Sequence, residues 1–325
     1  MSSLTPSPAA AMLERLGWPP ADPDVLPTSP ARFADGGQYR IEIPSVEGPR
    51  VLEAVLDEAR RREVGLHRVS QGSGIMMLTD GEIEAMAAMC ADAGIELSLF
   101  VGPRAGWDTG ATVLSTAGRT LGAQLRGQDQ LRAALDDVLR ACALGIRSVL
   151  IADLGLLQVL HRARRTGEVP ADLVIKISVQ LAAANAVAVR VLADLGATTI
   201  NVPTDLSVRQ LAAIRQASEV PLDVYVEVPD NFGGFVRHYD IPPLVQAVAP
   251  VYLKFGLRNA PDIYPSGLHL EAAAVAMGRE RVRRAALGLA MLHRFLPDAV
   301  ASPVGVRSAA GVPVTARGAG RESHS

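Results

Sequence analysis

Cysteine is scarce in this chain of 325 residues: there are two, Cys90 and Cys142. Two thiols cannot by themselves supply the four ligands of an iron–sulfur cluster. Both fall in helical patterns, "EAMAAMCADAG" and "DDVLRACALG", where free cysteine behaves as a small buried hydrophobe. Long apolar runs are missing too. No segment reaches about 18 uninterrupted apolar residues, and "MSSLTPSPAAAMLERLGWPP" lacks a basic region followed by an apolar one. A soluble, cytoplasmic protein is therefore expected. An excess of positive charge is also lacking: the net charge is −2, which leaves no footprint for nucleic acid or an anionic membrane. Small molecules or peptides are the expected partners, and nothing argues against a homo-oligomer. The last scarcity is lysine. Of the 32 basic residues only Lys176 and Lys254 are lysine, and both lie inside strand-like apolar segments.

What is present is a regular alternation. Eight apolar, often β-branched runs stand out: 39–45, 66–71, 95–103, 148–153, 173–180, 198–205, 222–230 and 251–257. Each is followed by a helical pattern such as "VLEAVLDEARRREVG" or "AAANAVAVRVLADLG", and several of these stop at glycine. Run starts are spaced by roughly 23 to 30 residues, apart from one gap of about 53 that holds "RAGWDTGATVLSTAGRTLGAQLRG". Eight such units match a (β/α)8 barrel of about 250 residues better than a doubly wound open sheet. The expected layout is an N-terminal extension over 1–38, the barrel over 39–296, and a flexible tail over 297–325.

A barrel puts its active site at the C-terminal ends of the strands, so the inward-facing row of each strand matters. Apolar alternation sets the phase. With Ile41 and Ile43 facing the helices, Glu42 turns inward; with Val224, Val226 and Val228 outward, Asp223, Tyr225 and Glu227 turn inward. The same logic sends Glu96, Ser98, Lys176, Ser178, Gln180, Asn201, Lys254 and Arg258 to the axis. Charges converging on one narrow space must pair, because an isolated buried charge neutralises instead. Arginine cannot release its proton, whereas a buried lysine can become a base or a Schiff-base nucleophile. A plain salt bridge from lysine to Glu227 or Glu42 is the competing reading.

Other groups gather at the predicted rim. After strand three come Arg104, Trp107 and Asp108, where the arginine could clamp a carboxylate and the indole cover it. "EVPDNFGGFVRHYD" supplies Asp230, Asn231, Arg237 and His238, with Gly233 and Gly234 permitting a mobile lid. His238 and His269 lack metal-ligand spacing, so no metal or other cofactor is expected. Gly72 and Gly74 stand several residues before a helix that should start near Thr79, capped by Glu82. That separation favours a flexible loop over a phosphate cradle.

The stretch 176–228 resembles the collagenase-like peptidases, unassigned peptidase family 32. Ser178, Gln180 and Asn185 match that family's opening phrase, "LADLG" its helix end, and Asp205, Leu206 and Ser207 its turn, with Asp in place of Glu; Asp223 and Tyr225 fit the next strand. Where the family has His-Gly, this chain has Glu227 and Val228, and the cysteine-bearing segment that follows is replaced. Some relatives use such cysteines to hold a cluster and hydroxylate RNA bases or quinone precursors, a route this chain departs from. The resemblance implies a hydrolase acting on a peptide, an amide or a carboxylate-bearing small molecule. In that reading Glu227 is acid/base, Lys176, Lys254 and Glu42 assist, and Ser178, Gln180, Asn201, Arg104, Trp107, Arg258 and His238 position substrate. A Schiff-base lyase or aldolase using one lysine, and a non-catalytic binding barrel, are the alternatives.

Overall fold

The computed structural model describes residues 7–107 and 122–315; Asp108 lies outside them. Eight parallel strands close into a barrel in sequence order: β1 Tyr39–Pro44, β2 Arg68–Gln71, β3 Glu96–Phe100, β4 Ser148–Ile151, β5 Val174–Ile177, β6 Thr199–Asn201, β7 Leu222–Glu227 and β8 Val251–Phe255. The described helices are α1 Pro8–Arg15, α2 Pro49–Arg61, α3 Asp80–Ala93, α4 Gly127–Ala143, α5 Leu154–Thr166, α6 Ala186–Asp194, α7 Val208–Ala217, α8 Ile241–Val248 and α9 Glu271–Phe295. The fold is the (β/α)8 barrel expected from the alternation. None of these helices is long and apolar enough to cross a membrane.

Local chemistry sets the helix starts. Thr79 and Glu82 form a reciprocal capping box on α3, satisfying donors that the first turn leaves unpaired. Ser207 and Gln210 do the same on α7, and the Asn185 side chain caps α6. Between sheet and helices lies a continuous apolar layer that includes Ile41, Ile43, Val69, Leu97, Ile175, Ile177, Val224 and Leu253. Burying branched side chains there is the main driving force for closure.

The C-terminal segment differs from expectation. Residues 297–315, read as flexible for want of periodicity, run as a strap under the N-terminal end of the barrel. Ser302 N–H donates to the Tyr39 carbonyl (3.1 Å), Leu97 N–H to Gly311 (3.3 Å) and Val314 N–H to Gly145 (2.9 Å). His67 completes the attachment: its Nδ1 accepts from Ile41 N–H (3.0 Å) and its Nε2–H donates to the Ser302 carbonyl (2.9 Å). Gly94 ends α3 at φ +63, and a β-carbon there would fall 2.4 Å from the backbone of Gly305 in the strap. Backbone groups carry much of this attachment, with the Ser302 hydroxyl adding bonds to Asp35 (2.9 Å) and Arg40 (3.0 Å), and backbone bonding leaves no side-chain period in the sequence. The N-terminal extension packs at the same end, where the Ser29 hydroxyl donates to the Ala249 carbonyl (2.5 Å) and accepts from Ala31 N–H (3.3 Å).

Candidate functional site

The barrel axis holds a buried charge network. Glu42 on β1 is its hub: one carboxylate oxygen accepts from Lys176 (2.5 Å), Ser70 (2.7 Å) and Lys254 (3.1 Å), and the other faces Arg68 (3.3 Å). Arg68 also reaches Glu96 (2.8 Å) and Asp223 (3.1 Å), with its guanidinium 3.6 Å above the Tyr252 ring. Asp223 accepts from Thr199 (2.6 Å) and lies 3.5 Å from Lys176. Three cations, Arg68, Lys176 and Lys254, thus meet three carboxylates, Glu42, Glu96 and Asp223, so the network is charge-balanced and can remain dry. The alternation rule placed most of these residues correctly. Arg68 escaped it, although the same rule applied to Val69 in "LHRVSQ" turns Arg68 inward.

The two lysines share an oxygen but differ in situation. Burial pulls the Lys176 ammonium down to about 8, against the opposing pull of Glu42, with Lys254 adding to the lowering. Burial also works against Lys254, but Glu42, Tyr225 and Asp223 outweigh it and hold this ammonium above its ordinary range. Burial favours the neutral form of Glu42, yet Lys176, Lys254 and Arg68 together keep it well below the usual carboxylate range.

Above the network a cavity of about 570 Å³ opens at the C-terminal mouth. Lys254 forms part of its floor beside Asn201, Ser70 and Tyr225. The ammonium donates to Asn201 Oδ1 (3.0 Å) and lies 4.6 Å from the Tyr225 ring centre, and Asn201 donates in turn to the Ile177 carbonyl (2.6 Å). Lys176 is fully buried beneath and does not line the cavity. Phe100 and Leu150 give the floor an apolar patch. Arg104, Trp107, Ser178, Gln180, Asn231 and Phe232 stand in the walls, the last two carried by the segment that follows β7. Tyr264 and Ser45, joined through their hydroxyls, complete one side, a residue pair that sequence reading missed because a loop brings Tyr264 back over β1.

Three expected site residues sit elsewhere. The β7–β8 register slips between Tyr225 and Glu227, and the slip turns the Glu227 carboxylate off the axis. It accepts from Arg258 N–H (3.0 Å) and faces Arg284 of α9 (3.6 Å) and His238 (3.9 Å), outside the cavity lining. His238 packs edge-on to Phe255, and the Arg258 side chain is exposed at the rim beside Asp230 (3.6 Å). Strict alternation cannot anticipate a bulge, so Glu227, His238 and Arg258 form a separate layer behind the mouth.

The glycine loop after β2 is firmly held. Gly72 and Ser73 N–H donate to the Glu47 carboxylate at 2.8 and 3.0 Å, so an internal carboxylate takes the amides that a phosphate would need. A β-carbon on Gly72 would lie 2.5 Å from the Tyr264 ring; only glycine permits this approach. The cysteines offer no cluster site: Cys90 is sealed inside α3 and Cys142 lies near the end of α4. Among the described residues no group of three His, Cys, Asp or Glu side chains converges as metal ligands do.

Residues 120–228 match the family model described as Peptidase family U32. Over this segment the chain is similar to that family. The segment spans β4 to β7 and includes Lys176, Asn201 and Tyr225 of the site. No curated protein matches the sequence. Among solved structures, a candidate fructose-1,6-biphosphate aldolase from Coccidioides immitis aligns with a TM-score of 0.51 at 11% identity, covering 79% of this chain and 92% of that one. A U32 peptidase aligns with a TM-score of 0.42 at 17% identity, covering 71% and 98%. A candidate copper homeostasis protein, CutC from Streptococcus agalactiae, aligns at 0.43 and 13%, covering 66% and 98%. At such identities the aldolase alignment speaks to the barrel fold alone. Within the matched segment, Ser178, Asn185 and Ser207 each cap a helical turn, so much of the family phrase encodes fold, while Ser178, Gln180 and Tyr225 also line the cavity.

Proposed function

We propose that the mouth cavity takes a small amide- or carboxylate-bearing molecule and that Lys254, seconded by Asn201, stabilises negative charge on its carbonyl oxygen. The observation that carries this reading is the division between the lysines. The one that reaches the cavity is the one its neighbours keep protonated, and the one with the lowered pKa is sealed beneath. A fixed cation in a water-poor site is suited to a developing oxyanion. A Schiff-base enzyme needs the reverse, a neutral amine open to the carbonyl, so the lyase reading is the weaker one. The U32-like segment supports acyl chemistry on an amide, with Gln180 and Asn231 as hydrogen-bonding walls.

Trp107 on the cavity wall is one of only two tryptophans, so entry of a ligand is readable in its emission. Titration with N-acetylated amino acid amides is expected to quench it, with affinity at least about tenfold weaker in Lys254→Met, the loss of a charge-assisted hydrogen bond. Unchanged affinity in that variant, or a borohydride-trapped adduct at Lys254, overturns the proposal.

A further inference from the structure

The buried cations of the axis network have a carboxylate against them; among the described residues Arg104 does not. It stands in the cavity wall with its guanidinium 4.0 Å from the ring centres of both Phe100 and Trp107. Among the described residues its hydrogen bond runs from Nη2 to the Gly72 carbonyl (2.6 Å), and Nε is buried without a partner. Among the described residues no carboxylate comes within ion-pair distance of it. Glu47, which acts on its charge more weakly than Tyr264 does, already accepts from two backbone amides. Burial accordingly lowers its pKa to about 10, with Tyr264 and Glu47 opposing.

Both rings lie against this guanidinium through its carbon, and its N–H donors are left to partners other than the rings. An edge-on guanidinium matches a planar carboxylate through paired N–H donors, and stacking on aromatic faces fixes its orientation. A cation half removed from water, with no counter-charge among the described residues, is suited to receive an anion. Lys254 is on the floor of the same cavity, where it already has Glu42 and Asn201 as partners and, in the reading above, receives a carbonyl oxygen.

We infer that Arg104 is a second anchoring point, a carboxylate subsite, and that the cavity selects short acyl-amino acids or peptides bearing a free C-terminal carboxylate. The inference rests on the reading of the mouth as the ligand site. The amide carbonyl lies toward Lys254 and Asn201, the carboxylate toward Arg104, and the side chain between them meets Phe232 and Trp107. Gly72 belongs to the device, because its carbonyl orients the guanidinium while its N–H is held by Glu47.

The test compares each N-acetyl amino acid (Ala, Leu, Phe, Gln) with its C-terminal amide by calorimetry and Trp107 emission at pH 7. The acid is expected to bind wild type at least tenfold more tightly than the amide. Arg104→Gln removes that preference, Arg104→Lys retains part of it, and Lys254→Met weakens acid and amide alike while keeping their ratio. Equal affinity of acid and amide for the wild type overturns the carboxylate subsite and leaves the Lys254 reading intact. A ratio that survives Arg104→Gln also overturns it. Displacement of the bound acid by inorganic phosphate more readily than by acetate reassigns the subsite to phosphates and overturns the carboxylate class. Absence of binding by either member overturns the mouth as the site and this inference with it. The wild-type comparison needs no variant, so misfolding of an Arg104 substitution does not remove the test.

Discussion

Replacing Glu42 by glutamine removes the one anion shared by Lys176, Lys254 and Arg68. Three buried cations then face only Glu96 and Asp223. Deleting one partner of a buried pair costs about 3–5 kcal/mol, because the charge left behind is uncompensated. Glu42→Gln should fall in that range in urea denaturation at pH 7, with Ser70 also losing its acceptor (2.7 Å). Lys176→Met should cost less, since burial has already made its charge the less supported of the two lysines. The informative variant is the double one, Glu42→Gln with Lys176→Met, which restores two cations against two carboxylates. It should recover about 2 kcal/mol relative to the sum of the single losses, a coupling within the range seen for residues in contact. Strictly additive losses, or a Glu42→Gln variant as stable as wild type, would refute the hub role assigned to Glu42.

Three further outcomes follow from the geometry. Lys176 has a folded pKa of about 8 against an ordinary 10.5, so its contribution is fully present above 10.5 and is lost as pH falls through 8; the stability of wild type relative to Lys176→Met should rise by on the order of 3 kcal/mol between those limits, and a flat difference contradicts it. His67 is pushed by burial to about 4 from 6.5, and protonating Nδ1 removes the acceptor of Ile41 N–H. Stability present above pH 6.5 should therefore decline by on the order of 3 kcal/mol toward pH 4, with hydrogen exchange rising first in the strap over 297–315; exchange there that stays protected at pH 4 counts against the attachment. Gly72→Ala forces the Tyr264 ring to move from a 2.5 Å contact, so it should destabilise by about 1–3 kcal/mol and weaken ligand quenching of Trp107, and an unaltered titration would show that the loop yields without disturbing the mouth.

The eightfold alternation of apolar runs and helical patterns was enough to name the barrel, because side-chain period reports which face of an element is buried. It also placed Glu42, Lys176, Asn201, Asp223, Tyr225 and Lys254 on the axis, since outward valines and isoleucines leave a polar residue no other direction. Period is silent where geometry breaks it. The slip at Tyr225 and Glu227 carried the expected acid out of the cavity to Arg284 and His238, and the strap over 297–315 is bound largely through backbone groups that every sequence possesses. Depth is equally invisible along the chain. Lys176 and Lys254 look alike as single cations in apolar strands, and only their heights on β5 and β8 seal one beneath the floor and bring the other to the cavity. The sequence determined that two lysines would be buried and paired; the closed barrel decided which one can meet a ligand.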